Sequence, residues 1–90
     1  MQMNMNSLRV MRLFADEPRR NHWHYGLSKQ LGMAAPTLHR MLHALTDAGW
    51  LSSEREHVNP SLATRAPRTL YRITDLGIVE TKKALKALTG

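Results

Sequence analysis

The feature that most restricts how this chain can fold is a short breaker, Gly32-Met33-Ala34, set between two apolar stripes at helical spacing. Before it come Leu27 and Leu31, four residues apart; after it come Leu38, Met41, Leu42 and Leu45. Glycine is the residue that ends a helix in the left-handed region. Pro36 then fits the first turn of the next helix, where its missing N–H is not needed. Two helices, 26–31 and 35–48, must therefore meet at a tight turn, with Gly49 closing the second. The face of helix 35–48 opposite its apolar stripe carries Thr37, His39, Arg40 and His43.

The flanking sequence supplies further elements. Asn6 or Ser7 can cap a helix over 7–16, with Leu8, Met11, Leu13 and Phe14 at helical spacing and Pro18 just beyond its end. Residues 1–6 are expected to fray as a flexible N-terminus. Arg19 to Tyr25 alternates polar and aromatic residues, as a short extended piece does. Strand candidates at 50–55 and 68–73 are rich in apolar and Thr/Tyr residues. The polar, proline-bearing stretch 56–67 between them is long for a hairpin loop and is expected to be mobile or bent outward. Thr74 caps a last helix, 75–88, with Ile78, Leu85 and Leu88 on one side. Gly77 lets that helix approach the hairpin closely. Helix, strand, helix, turn, helix, strand, loop, strand, helix is the order of a winged helix-turn-helix: a mainly α fold with a small β-hairpin.

At 90 residues the chain has room for a single domain, here residues 1–90. Thirteen Lys and Arg against seven Asp and Glu leave a formal charge of +6, which favours an anionic partner. A hydrophobic content of 42% suffices for a core and argues against wholesale disorder. There is no cysteine, so disulfides, thiolate zinc sites and iron–sulfur clusters are excluded. No apolar run exceeds three residues, so no membrane span or secretion signal is read. Gly-rich phosphate loops, His-Glu-x-x-His and G-x-S-x-G are all missing. The chain is read as no enzyme, needing no cofactor, and as a cytoplasmic, nucleoid-associated protein.

The stretch Leu31-Gly-Met-Ala-Ala-Pro-Thr-Leu-His-Arg-Met-Leu-His-Ala-Leu-Thr-Asp-Ala-Gly-Trp-Leu51 resembles the helix-turn-helix core of winged-helix regulators. Arg68-Thr-Leu-Tyr-Arg-Ile-Thr-Asp-Leu-Gly77 is similar to the strand-to-helix junction of the PadR family. Val10–Pro18 and Tyr25–Leu31 also look like that family's first two helices, so the resemblance covers residues 8–80. It implies a DNA-binding transcriptional regulator, usually dimeric, with helix 35–48 in the major groove and the 50–73 hairpin as wing. Two departures stand out. Ala34 occupies the cap position that is usually Ser, and the long C-terminal region that dimerises many members is missing or reduced to 75–88.

On this plan Ala35, Pro36, Thr37, His39, Arg40 and His43 are the recognition-helix residues, with Arg40 a candidate reader of guanine. Arg65 and Arg68 are expected on phosphates from the wing. Arg19, Arg20 and Lys29 form a second basic cluster, as readily solvated as bound to phosphate. Arg72, further along the returning strand, is read either as a phosphate contact or as the partner of a strand carboxylate such as Glu54. His39 and His43, or His22 and His24, have a spacing a metal can use, but lack a third ligand, so no metal is expected. Trp23, Tyr25, Trp50 and Tyr71 are read as core filling rather than as the walls of a ligand pocket. Met3, Met5, Leu8, Ile78, Leu85 and Leu88 are assigned to a homodimer contact, with the monomer core as the other use for them. The function is then site-specific binding of double-stranded DNA with transcriptional repression by occlusion, without membrane association. A protein–protein module on the same fold, or a plasmid or phage replication or partition protein, is the alternative.

Overall fold

A computed structural model describes residues 3–59, 61, 62 and 64–89. Met1 and Gln2 of the expected frayed terminus lie outside the described residues, as do Pro60 and Ala63 of the 56–67 loop. Helix α1 spans Met5–Asp16, β1 His22–Trp23, α2 His24–Leu31, α3 Ala35–Asp47, β2 Leu51–Arg55, β3 Thr69–Ile73 and α4 Asp75–Thr89. The strands form one antiparallel sheet in the order β1-β3-β2. Four helices and a small sheet make this a mainly α winged helix-turn-helix.

Helix α1 begins two residues earlier than the sequence suggests. Its cap is Asn4 rather than Asn6 or Ser7, because Asn4 and Ser7 exchange bonds. The Ser7 N–H donates to Asn4 Oδ1 at 2.9 Å, and the Asn4 N–H donates to Ser7 Oγ at 2.8 Å. Two orphan N–H groups are thus satisfied reciprocally, and the helix starts at Met5. The sequence-expected turn between α2 and α3 is present. Gly32 has φ +65°, its N–H donates to the Ser28 carbonyl at 2.9 Å, and Ser28 Oγ donates to the Met33 carbonyl at 2.7 Å. Arg9 adds a bond from α1, donating to the Leu31 carbonyl at 2.9 Å, where a helix C-terminus leaves carbonyls unpaired.

Val10, Met11 and Phe14 of α1 meet Leu27 and Leu31 of α2, Leu38, Leu42 and Leu45 of α3, and Trp50, Leu51 and Ile73 of the hairpin. Met41, expected within the α3 stripe, is half-buried against this core. Helix α4 reaches the hairpin through Gly77, where a Cβ would lie 2.1 Å from the Trp50 carbonyl oxygen. Thr74 locks that junction: its hydroxyl donates to the Gly49 carbonyl at 2.6 Å and accepts from the Gly77 N–H at 3.0 Å. Helices α1 and α4 pack on each other, which places Leu8 inside the single chain at 6% exposure. Its assignment to a dimer contact is therefore corrected to core. Met3 and Ile78 also pack against the core, while Leu85 is half-buried. Met5 and Leu88, at 65% and 59%, stay exposed. No described helix is long and apolar enough to cross a membrane.

Candidate nucleic-acid interface

Helix α3 keeps Leu38, Leu42 and Leu45 inside, so its 3.6-residue period turns Ala35, Pro36, Thr37, His39, Arg40 and His43 outward, and all six are exposed. His43 Nδ1 lies 3.3 Å from Asp47 Oδ2 one turn on. His39 is brought against His24 of α2, ring to ring at 5.8 Å and 61°. His24 Nε2 stands 3.0 Å from the Ala35 carbonyl oxygen. The first turns of α2 and α3 are thereby joined at the mouth of the turn. Ala34 offers no side-chain cap there, as the sequence implies.

Next to this face the wing contributes a crevice of about 330 Å³. Trp23, Tyr25 and Tyr71 supply its aromatic walls, and His39 and Arg68 border it. Of the four aromatic residues expected to fill the core, Trp50 does so at 7% exposure, and Tyr71 packs against the core from the rim. Trp23 and Tyr71 are half-buried and Tyr25 is 55% exposed, because β1 pairs with the outer edge of β3 and carries its neighbours to the rim. The Arg68 guanidinium lies over the Trp23 ring at 4.1 Å, a cation–π contact between residues too far apart in the chain for spacing to signal.

Both wing arginines expected on phosphate have a partner within the chain. Arg65 Nη1 donates to Glu56 Oε1 at 2.5 Å, and Arg68 Nη2 to Glu56 Oε2 at 3.1 Å. The two guanidinium donors hold the Glu56 carboxyl down to about 2. The same contact pushes Arg65 up. Glu56, which joins both arginines, is a residue that sequence reading passed over. The hairpin register sets Arg72 diagonally from Glu54 on one face, yet Arg72 is not paired with it among the described residues. Its Nε donates instead to Asn21 Oδ1 at 3.1 Å.

The second basic cluster is partly assembled. Arg20 and Lys29 border a common crevice on α2, which does not include Arg19 among its lining residues. Arg20 is paired with Glu17 at 3.1 Å, and Lys29 stands over the Tyr25 ring at 5.0 Å. Among the described residues no three His, Cys, Asp or Glu side chains converge as metal ligands do. His22, far from forming a pair with His24, is buried edge-to-face on Phe14 at 4.7 Å.

Comparison with known proteins bears on this arrangement. Residues 5–55 match the family model described as the IclR helix-turn-helix domain. Among solved structures, the chain is similar to a transcriptional regulator homologue from Pyrococcus horikoshii OT3. The identity is 28% and the TM-score 0.77, covering 96% of this chain and 78% of that one. A PadR family transcriptional regulator from Eggerthella lenta DSM 2243 matches at 24% identity and TM-score 0.73, over 94% and 76% of the two chains. MepR, a transcription regulator of the Staphylococcus aureus multidrug efflux pump MepA, matches at 14% and TM-score 0.73, over 96% and 58%. No curated protein matches the chain. The last two similarities concern the fold alone.

Proposed function

This chain, a winged-helix DNA-binding transcriptional regulator in build, belongs to the IclR helix-turn-helix domain family, and from that premise we propose that it represses transcription by occupying defined DNA sites as a homodimer. The observation that carries the reading is the outward face of α3. Thr37, His39, Arg40 and His43 are exposed together on a helix whose other side is fixed in the core. A rigid helix with polar side chains and a long planar cation on one face is what a major groove accepts.

In the mechanism, α3 enters the groove with Ala35 and Pro36 leading, so that its first turn approaches the backbone closely. Arg40 reads a base edge through its two-pronged donors. Arg68, held over Trp23, and the basic residues Arg19, Arg20 and Lys29 border the phosphates on either side. Occlusion of a promoter needs only that the winged helix sit on its site. DNA on the nucleoid, in the cytoplasm, is the partner, and no membrane or cofactor enters the reading. A PadR-like character is a separate, finer reading, and it rests on the Arg68–Gly77 junction beyond the residues that the family model matches.

Selection of bound fragments from a random duplex library at two salt concentrations tests this. An inverted repeat with half-site centres about 10 base pairs apart is the expected outcome. Arg40→Ala should then relax one base position, at a cost of about 1–3 kcal/mol on the preferred site and little elsewhere. A pool without a motif, held by salt-sensitive attraction alone, would overturn the reading in favour of an acidic protein partner.

A further inference from the structure

The wing carries its own anion. Glu56 follows the last residue of β2 and faces Arg68, just before β3, with the Glu56 N–H donating to the Arg68 carbonyl at 2.8 Å. At this neck of the loop the Glu56 carboxylate accepts from both Arg65 and Arg68 side chains, and the Arg68 N–H stands 3.4 Å from Oε1. Two guanidinium groups and a backbone N–H around one oxyanion are the donor set that a DNA phosphate meets on a protein. The carboxylate is only 17% exposed, whereas the arginines are unequal: Arg68 is 30% exposed and covered by Trp23, Arg65 45% exposed and held by little else.

We infer that Glu56 is a built-in substitute for a DNA phosphate, which keeps Arg65 occupied in the free chain and so sets how strongly the wing holds DNA of any sequence. On DNA, Arg65 is exchanged from the carboxylate to a phosphate while Arg68 stays on Trp23. The phosphate then releases a condensed cation, but the carboxylate that loses Arg65 and keeps Arg68 sets a negative charge beside the duplex, so the exchange adds little to affinity or to its salt dependence. Non-specific attraction is held down, and discrimination is left to α3. Glu56 is thus a specificity-determining residue that touches no base. This rests on the DNA-binding reading above and deepens it.

An Arg65 free to meet a phosphate would make Arg65→Ala lower the salt slope by about one. The exchange predicts otherwise, and four variants of the full chain separate the two on a labelled duplex of arbitrary sequence, read by anisotropy from 50 to 200 mM salt. Glu56→Gln should bind about 3- to 10-fold more tightly at the low end, with a slope steeper by about 0.9. Glu54→Gln removes the same unit of charge two residues earlier, where no arginine is paired among the described residues, and should change affinity less. Arg65→Ala should cost clearly less in the wild-type chain than in the Glu56→Gln background, where it abolishes the gain and the extra slope. A Glu56→Gln chain no tighter than Glu54→Gln would overturn the proposal. So would an Arg65→Ala chain that alone loses a full unit of slope, a result that does not depend on how well Glu56→Gln folds. A wild-type chain without salt-dependent affinity for duplex would remove the DNA-binding reading itself, and the proposal with it.

Discussion

Gly77 shows how a residue's usual effect can be reversed by its neighbour. Glycine one turn inside a helix normally costs about 0.5–1 kcal/mol relative to alanine. Here an added Cβ would meet the Trp50 carbonyl oxygen at 2.1 Å and Ile73 Cγ1 at 2.8 Å. Backbone cannot yield as a side-chain end does, so α4 would have to lift off the hairpin. Gly77→Ala should therefore destabilise by about 1–3 kcal/mol, a fall in melting temperature of roughly 4–8 °C per kcal/mol, read by circular dichroism. A rise in melting temperature would show that the approach is looser than described. His22 is a second residue whose setting decides its chemistry. Burial pushes its ring below the usual histidine range, the Arg20 charge adds to this, and Glu17 opposes. Its Nε2 is buried without a hydrogen-bond partner among the described residues. The unfolded chain therefore takes up the proton first. The contribution is fully present above about pH 6.5 and is lost as pH falls from there through the folded-state value. Between pH 7.5 and 5.5 the wild-type melting temperature should drop further than that of His22→Phe, which keeps a ring against Phe14. Parallel pH profiles would rule this out.

At the scale of elements, the three long helices differ in how they start. Asn4 and Thr74 cap α1 and α4 with side-chain oxygens, while Ala34 precedes α3 in extended backbone (φ −61°, ψ 140°) with nothing to offer. Ala34→Ser should thus stabilise the chain by about 1 kcal/mol, visible as an upward shift of the thermal midpoint. An unchanged midpoint would mean that the α3 N–H groups are already satisfied. That weakness was legible in the sequence, and so were the breaker at Gly32, the α3 stripe and the paired strands, because each depends on residues a few positions apart. The α1 start was misplaced since Ser7 stands where a capping box more often has Glu or Gln, and Asn4, Asn6 and Ser7 all look like caps. The wing's ion pairs were not legible at all. Glu56 meets Arg65 and Arg68 across nine and twelve residues of loop without periodicity, and Arg68 finds Trp23 only once β1 has paired with β3.

For the molecule as a whole, the question is which apolar surface remains once the chain has folded. Ile78, Thr81, Leu85 and Leu88 recur along one side of α4, and their exposure rises toward its C-terminus. Thr81 is 1% exposed, Leu85 half-buried and Leu88 59% exposed. The stripe that α1 covers at its start is uncovered at its end, and Met5 at the start of α1 is likewise open. A folded body of 53 × 26 × 21 Å leaves these ends accessible to a second copy. A two-fold dimer made there would suit a palindrome whose half-sites lie about 34 Å apart. Wild-type chain should therefore sediment at twice its 10.3 kDa, and Met5→Glu with Leu88→Glu should return it to the single-chain mass with its helical content unchanged. Leu8→Glu, by contrast, places a charge within the core and should unfold the chain. If the Met5/Leu88 variant remained dimeric, the contact would lie elsewhere, with Leu76 and Val79, 48% and 47% exposed on the neighbouring side of α4, the next residues to charge.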